Sequence, residues 1–197
     1  MNVQSTNKKE VIFQSTLVLL QDNGFHGTPM SQIAQHAKLS VGTIYHYFES
    51  KEELILELFA YCKAQLMDFI FDGTTLTEEQ YENDFKKVWR RFVQFYTDYP
   101  TYFCFMNQFY SSPFHETERL RKLQQPNEDR ANIQNFLARG IELNQLRDTS
   151  IHILNSAFTG VAVSYIKSVI FGKVTMQKEE LDEMVDLVWK SIKKEYV

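Results

Sequence analysis

Apolar residues along this chain recur three and four positions apart, the spacing of α-helices with one buried face. From Thr6 to Asn23, Ile12, Thr16, Leu19 and Leu20 fall at i, i+4, i+7 and i+8, predicting an amphipathic helix that Gly24 ends in the left-handed conformation, with Phe25 folding back as a plug. Two short patterns follow. Ile33, Ala34 and Ala37 form a small apolar face on the first, which starts near Pro29, and Ile44 and Tyr47 do so on the second. Lys38, Leu39 and Ser40 join them, a connection so short that it demands a sharp corner plugged by Leu39. Ala34 is small enough for two helices to cross closely, so the spacing is that of a helix-turn-helix. With Ile44 and Tyr47 inward, Thr43, Tyr45 and His46 point away from the body.

Ser40 is a natural N-cap for the second short helix, and Ser50 with Glu53 three residues on is a capping box that starts a helix running to about Phe71. Lys38 occupies a turn position that favours glycine, at a strain of roughly 1 kcal/mol. Glu78 to Asp98 reads as the next helix, broken by Pro100, and Thr101 to Tyr110 as another, stopped by Ser111-Ser112-Pro113. His115 to Gln125 is a charged, exposed stretch. Asn127 to Leu143 is helical with Asn144 as its left-handed cap, and Asp148 or Thr149 caps a long helix from Ser150 to Phe171. The last helix carries acids at its start and Lys190, Lys193 and Lys194 at its end, in keeping with its dipole.

Two constellations in the carboxy-terminal part bear on function. Trp89, Phe92, Tyr96, Tyr99, Phe103, Met106, Phe109 and Tyr110 form an aromatic belt, with Phe136, Phe158 and Tyr165 available opposite. Rings at helical spacing fill a core as readily as they line a cavity, but their excess over one contact face points to a pocket for an apolar or aromatic molecule. Arg119, Arg121 and Arg130 stand near its rim, as partners for an anionic group or as solvated charges. The second constellation is a row of small residues, Ser156, Gly160 and Ser164, whose complement is Leu181, Met184, Val185, Val188, Trp189 and Ile192. These two helices from each of two subunits would form a four-helix dimer interface; the alternative is that they complete the core of one subunit.

A helix-turn-helix whose second helix turns Thr43, Tyr45 and His46 outward is suited to the major groove of DNA. Phosphate contacts fall to Lys8, Lys38, Ser40 and Lys51, and base or phosphate contacts to Thr43, Tyr45 and His46. Gly24-Phe25, the helix-turn-helix and above all the tail from Tyr45 to Leu54, YHYFESKEEL, resemble the TetR family of bacterial transcriptional regulators. Thr16, Pro29 and Lys38 depart from the family's usual residues, and none of them removes a DNA-facing position. The resemblance covers roughly residues 10 to 55 and implies an all-α homodimer of about nine helices. It further implies a three-helix DNA-binding domain over residues 1–50 and a larger helical domain over 51–197 for effector binding and dimerisation. A near-palindromic double-stranded operator, a small-molecule effector that releases it and a repressor's role follow from the same likeness.

Composition narrows the picture without changing it. The formal net charge is −4, but residues 1 to 51 carry four lysines against three acids, so the reader is near neutral and the acidity lies in the body. Specific binding then rests on paired subunits and on hydroxyl and amide contacts to phosphate. Cys62 and Cys104 lie far apart and the five histidines are scattered, so no metal or cofactor is expected and a reduced bacterial cytoplasm fits. No glycine-rich phosphate loop, nucleophile elbow or HExxH motif suggests an enzyme, and no stretch reads as a membrane span or signal peptide.

Overall fold

The structure, a computed structural model, describes residues 3–124 and 132–195. Its elements are all helices: α1 (Val3–Asn23), α2 (Met30–His36), α3 (Val41–Tyr47), α4 (Lys51–Phe71), α5 (Tyr81–Asp98), α6 (Pro100–Tyr110), α7 (Pro113–Gln124), α8 (Ile133–Glu142), α9 (Ile151–Ile170) and α10 (Lys178–Ile192). Packing groups them into two compact units. One takes the residues up to Ala64 together with those from Tyr99 through α7, and the other takes Gln65–Asp98 and the residues from Asn132 onward. This grouping differs from a division at residue 50, because α6 and α7 pack with the amino-terminal helices.

In the amino-terminal unit α1 lies against α2 and α6, and α2 crosses α3. Ile12 and Leu20 of α1, Ile33 of α2 and Ile44 of α3 are fully buried, as the spacing requires, and Leu17, outside that spacing, is fully buried too. Thr16 sits among them at no polar cost, since its hydroxyl donates to the Ile12 carbonyl at 2.7 Å. Gly24 takes φ +65° after α1, and its amide closes the last turn onto the Leu20 carbonyl at 3.0 Å. Thr28, also fully buried, holds the following turn by donating to the Gly24 carbonyl at 2.9 Å. Two side chains then tie α1 to α6: Gln14 donates to Tyr102 Oη at 2.9 Å, and Gln108 to the Leu20 carbonyl at 3.1 Å.

In the carboxy-terminal unit α5 packs on α9 and α10, and α8 on α9. The core is aromatic: Phe85 meets Phe158 edge-on at 5.6 Å and Trp189 at 5.1 Å, while Tyr81 stacks on Phe136 at 5.2 Å. Two buried polar ring atoms here have carbonyl partners. Trp89 Nε1 donates to Phe158 O at 2.9 Å, and Tyr81 Oη to Phe136 O at 3.0 Å. Tyr81 fits because Gly140 lacks a side chain; a Cβ there would stand 2.2 Å from Tyr81 Oη. Helix α9 is long and apolar enough to cross a membrane, yet it buries Leu154, Phe158 and Ile166 against its neighbours.

Several boundaries differ from those read in the sequence. Helices α5 and α6 end at Asp98 and Tyr110 as expected, but Pro100 and Pro113 also open the helices that follow, since proline's missing N–H costs nothing in a first turn. The charged stretch after Pro113 is therefore helix α7, which raises the count above nine. Helix α8 begins at Ile133 with Asn132 as its N-cap, the Asn132 side chain accepting from the Asn135 amide at 2.8 Å. Residues 125–131, including Arg130, lie outside the described residues. Ser150, not Asp148 or Thr149, caps α9.

Candidate nucleic-acid interface

The corner between α2 and α3 is built from backbone bonds and one strained residue. Ala37 donates to Ile33 O at 2.9 Å and Leu39 to Ala34 O at 2.9 Å, wrapping the chain around the end of α2. Lys38 stands in the left-handed region, with φ +54°. Extended Ser40 then starts α3: its Oγ accepts from the Thr43 amide at 3.0 Å and shares a hydrogen bond with Thr43 Oγ1 at 2.8 Å. Thr43 is half-buried and its hydroxyl is engaged, so it is less open than Tyr45 and His46.

Of the residues expected in the motif's core, Ile33, Ala34, Ala37 and Ile44 are buried, while Leu39 and Tyr47 are half-buried. Phe48, absent from that expected set, is almost wholly buried and contacts the ring of Phe13 at 5.7 Å. It follows the last turn of α3 in extended conformation, φ −140°, which turns its ring into the unit. The opposite side of α3 is open, with Tyr45 52% exposed and His46 also exposed. The ring of His46 makes an edge contact with Tyr47 at 5.5 Å, which limits its swing.

The start of α4 is fixed reciprocally. Glu53 N donates to Ser50 Oγ at 3.1 Å, and the Glu53 carboxylate takes the amide of Glu49 at 2.5 Å. The candidate phosphate-binding lysines fare differently. Lys8 and Lys38 are exposed. The half-buried ammonium of Lys51 donates to the Phe25 carbonyl, and burial lowers its pKa. Lys9, beside Lys8, pairs with Glu57 and lies over the rings of Phe13 and Phe48, 5.9 and 5.4 Å from their centroids.

An exposed α3 held by a buried opposite side is geometry that many helical hairpins share, so comparison with known proteins decides the family. The profile of "Bacterial regulatory proteins, tetR family" matches residues 12–58, and that of "Tetracyclin repressor-like, C-terminal domain" matches residues 80–193. This chain belongs to the TetR family. It is a DNA-binding transcriptional regulator of that family, all-α, with an amino-terminal helix-turn-helix and a carboxy-terminal helical domain.

Among TetR-type relatives, the chain is 32% identical over 117 residues to an uncharacterized HTH-type transcriptional regulator of Haemophilus influenzae; the match covers 57% of this chain and spans 60% of that protein's length. It is also 32% identical over 84 residues to the fatty acid metabolism regulator protein of Bacillus subtilis, covering 43% of this chain and 38% of that protein. The same TetR fold appears in a family member from Marinobacter aquaeolei, with TM-score 0.83, 20% identity and coverage of 99% of this chain and 100% of that one. A TetR-family structure from Haemophilus influenzae superposes with TM-score 0.80 at 22% identity, covering 98% of this chain and 100% of that one.

The remaining candidate residues of this TetR-family chain are distributed as follows. The aromatic belt is divided between the units. Trp89, Phe92, Tyr96, Phe136, Phe158 and Tyr165 are buried in the carboxy-terminal unit; Phe103, Met106 and Phe109 are buried in the amino-terminal one, where Tyr99 and Tyr110 are exposed. Phe92 meets Phe158 at 5.8 Å, and Phe109 stacks on Phe59 at 4.1 Å. Ser156, Gly160 and Ser164 are exposed on α9. The α10 stripe faces mostly inward: Leu181, Val185, Val188, Trp189 and Ile192 are buried in the core of their own unit, while half-buried Met184 lines an open groove with Gly160 and Ser164. Ion pairs Lys86–Asp186 at 2.8 Å and Arg90–Asp182 at 2.6 Å hold α10 to α5.

Proposed function

We propose that this TetR-family regulator is a repressor of the bacterial cytoplasm that binds a near-palindromic operator as a homodimer and leaves it when a small apolar or aromatic effector binds. Residues 1–50 read DNA, and residues 51–197 dimerise and sense the effector. Tyr45 and His46 enter the major groove, Thr43 and Ser40 lie along its edge, and Lys8 and Lys38 meet phosphates. Lys51, one of whose donors serves the Phe25 carbonyl, is a further candidate for phosphate. The observation that carries this reading is the exposure of Tyr45 and His46 on a helix anchored from behind by fully buried Ile44.

Two recognition helices from a symmetric pair would stand about 34 to 36 Å apart or at a related spacing. Dimerisation is supported by the exposed side of α9 and α10, where Ile153, 60% exposed, and Leu187, 61% exposed, accompany the row Ser156, Gly160 and Ser164. Among the described residues, nothing beyond the neighbouring backbone of α9 lies within 4 Å of a Cβ built on Gly160, so this position is open in one subunit and a bulky residue there blocks close approach of a second. Effector control is supported by the abundance of rings in both units and by the Gln14–Tyr102 and Gln108–Leu20 bonds, which pass a movement of α6 directly to α1.

A gel shift on operator DNA tests the reader. Tyr45→Ala and His46→Ala lose binding, and parental binding by both removes these residues from the interface. Sedimentation tests the pairing: the parent is a dimer at micromolar concentration and Gly160→Phe a monomer, whereas a monomeric parent removes the homodimer.

A further inference from the structure

Between the turn after α1, the first residue of α4 and the corner joining α6 to α7, the amino-terminal unit holds a cleft of about 590 Å³, a size that suits small organic ligands. Phe25 and Phe114 make its apolar wall, their rings edge-to-face with centroids 5.1 Å apart. Lys51, His26, Gln108 and Ser112 contribute polar groups. Some of these are already committed. Ser112 Oγ donates to the Phe109 carbonyl at 2.7 Å, and Gln108 Nε2 to the Leu20 carbonyl at 3.1 Å.

Lys51 is under-compensated. Its ammonium has three donors, is half-buried, and among the described residues meets the neutral Phe25 carbonyl and no carboxylate. Burial lowers its pKa, as expected of a cation that has lost water without gaining a counter-charge. Glu52, the acid that also lines the cleft, is exposed. A carboxylate beside Lys51 would supply the charge and the acceptors that the site lacks, in partial shelter from solvent. Beside that anion the two phenyl rings offer a surface for a ring or short alkyl chain.

We propose that this cleft binds a small amphipathic monocarboxylate, its carboxylate on Lys51 Nζ and its apolar body against Phe25 and Phe114. The site shares no residue with the aromatic belt. Its effect on DNA rests on the effector-release reading above. A ligand that draws the ammonium away from Phe25 frees the α1–α2 turn from the start of α4, and α2 carries α3 with it.

Calorimetric titration of the intact protein with 4-phenylbutyrate and with its methyl ester tests the site. The acid binds once per subunit with Kd below about 1 mM, and the ester at least about tenfold more weakly. Lys51→Met weakens the acid at least about tenfold and leaves the ester unchanged, and Phe114→Ala weakens both. Because Lys51→Met removes a bond that holds the turn, Ser111→Trp at the exposed rim provides a second variant; it blocks the cleft and abolishes binding while the melting curve stays parental. Equal affinity for acid and ester, parental affinity in Lys51→Met or Ser111→Trp, or no heat with the acid at about 10 mM overturns the site. Operator anisotropy with the acid present separates the two readings: release supports both, while binding without release leaves the site standing and counts against effector control through it.

Discussion

Ser40 carries two roles that substitution separates. Its Oγ accepts the Thr43 amide at 3.0 Å and bonds Thr43 Oγ1 at 2.8 Å, and α3 has only seven residues over which to spread the loss. Ser40→Ala removes the cap and destabilises the protein by about 1 kcal/mol, whereas Ser40→Asp caps as well as serine and favours the positive end of the helix dipole. On DNA the order reverses. A carboxylate about 6 Å from a phosphate in a water-like dielectric costs about 0.7 kcal/mol. Two copies on an operator cost about 1.4 kcal/mol, or about tenfold in Kd. Urea unfolding and fluorescence anisotropy on an operator fragment at fixed salt report the two effects independently. We expect Ser40→Asp to match the parent in urea and to bind about tenfold more weakly, with the gap closing as salt screens the charge. Ser40→Ala unfolds at lower urea and loses affinity only as α3 frays. Parental DNA affinity in Ser40→Asp would refute the placement of Ser40 beside phosphate, and a parental urea midpoint in Ser40→Ala would refute the cap.

Two glycines in helices have opposite expectations. Gly140→Ala drives a Cβ to 2.2 Å from Tyr81 Oη and 2.7 Å from Leu146 Cδ1, and overpacking with disturbance of the Tyr81–Phe136 bond costs about 2 to 4 kcal/mol in urea unfolding. Gly160→Ala meets, among the described residues, nothing beyond the neighbouring backbone of α9 and stabilises the subunit by up to about 1 kcal/mol; a parental midpoint for Gly140→Ala would show that the Tyr81 ring can yield. Burial pushes the thiol of Cys62 far above its ordinary pKa, so Ellman's reagent labels Cys104 first and Cys62 only on unfolding; rapid labelling of both in the native protein contradicts this burial.

The helix-turn-helix was legible because its determinants are local. Ile33, Ala34, Ala37 and Ile44 lie within a dozen positions and obey one helical period, and Ser40 bonds an amide three residues away. Phe48 stands four positions after Ile44, in step with it, yet it is the residue after α3 and turns inward in extended conformation. Helix α7 was hidden by its charge and by a proline read as a stop, although proline stops and starts helices with the same ring. What required the structure was the identity of distant partners. The α10 stripe announced a buried face, and only packing shows that Val185 and Trp189 belong to the core of their own unit. Lys51 announced a free cation beside a DNA reader; one of its donors reaches a carbonyl 26 positions earlier in the chain.

Selection of binding sites from random duplex DNA tests the central claim most directly, because it asks whether the outward side of α3 reads bases. The account predicts a near-palindromic sequence enriched by the parent, and loss or alteration of the enriched bases in each half-site when Tyr45 or His46 becomes alanine. Enrichment of the same sequence by the Tyr45→Ala and His46→Ala proteins, or no enrichment by the parent, would contradict it.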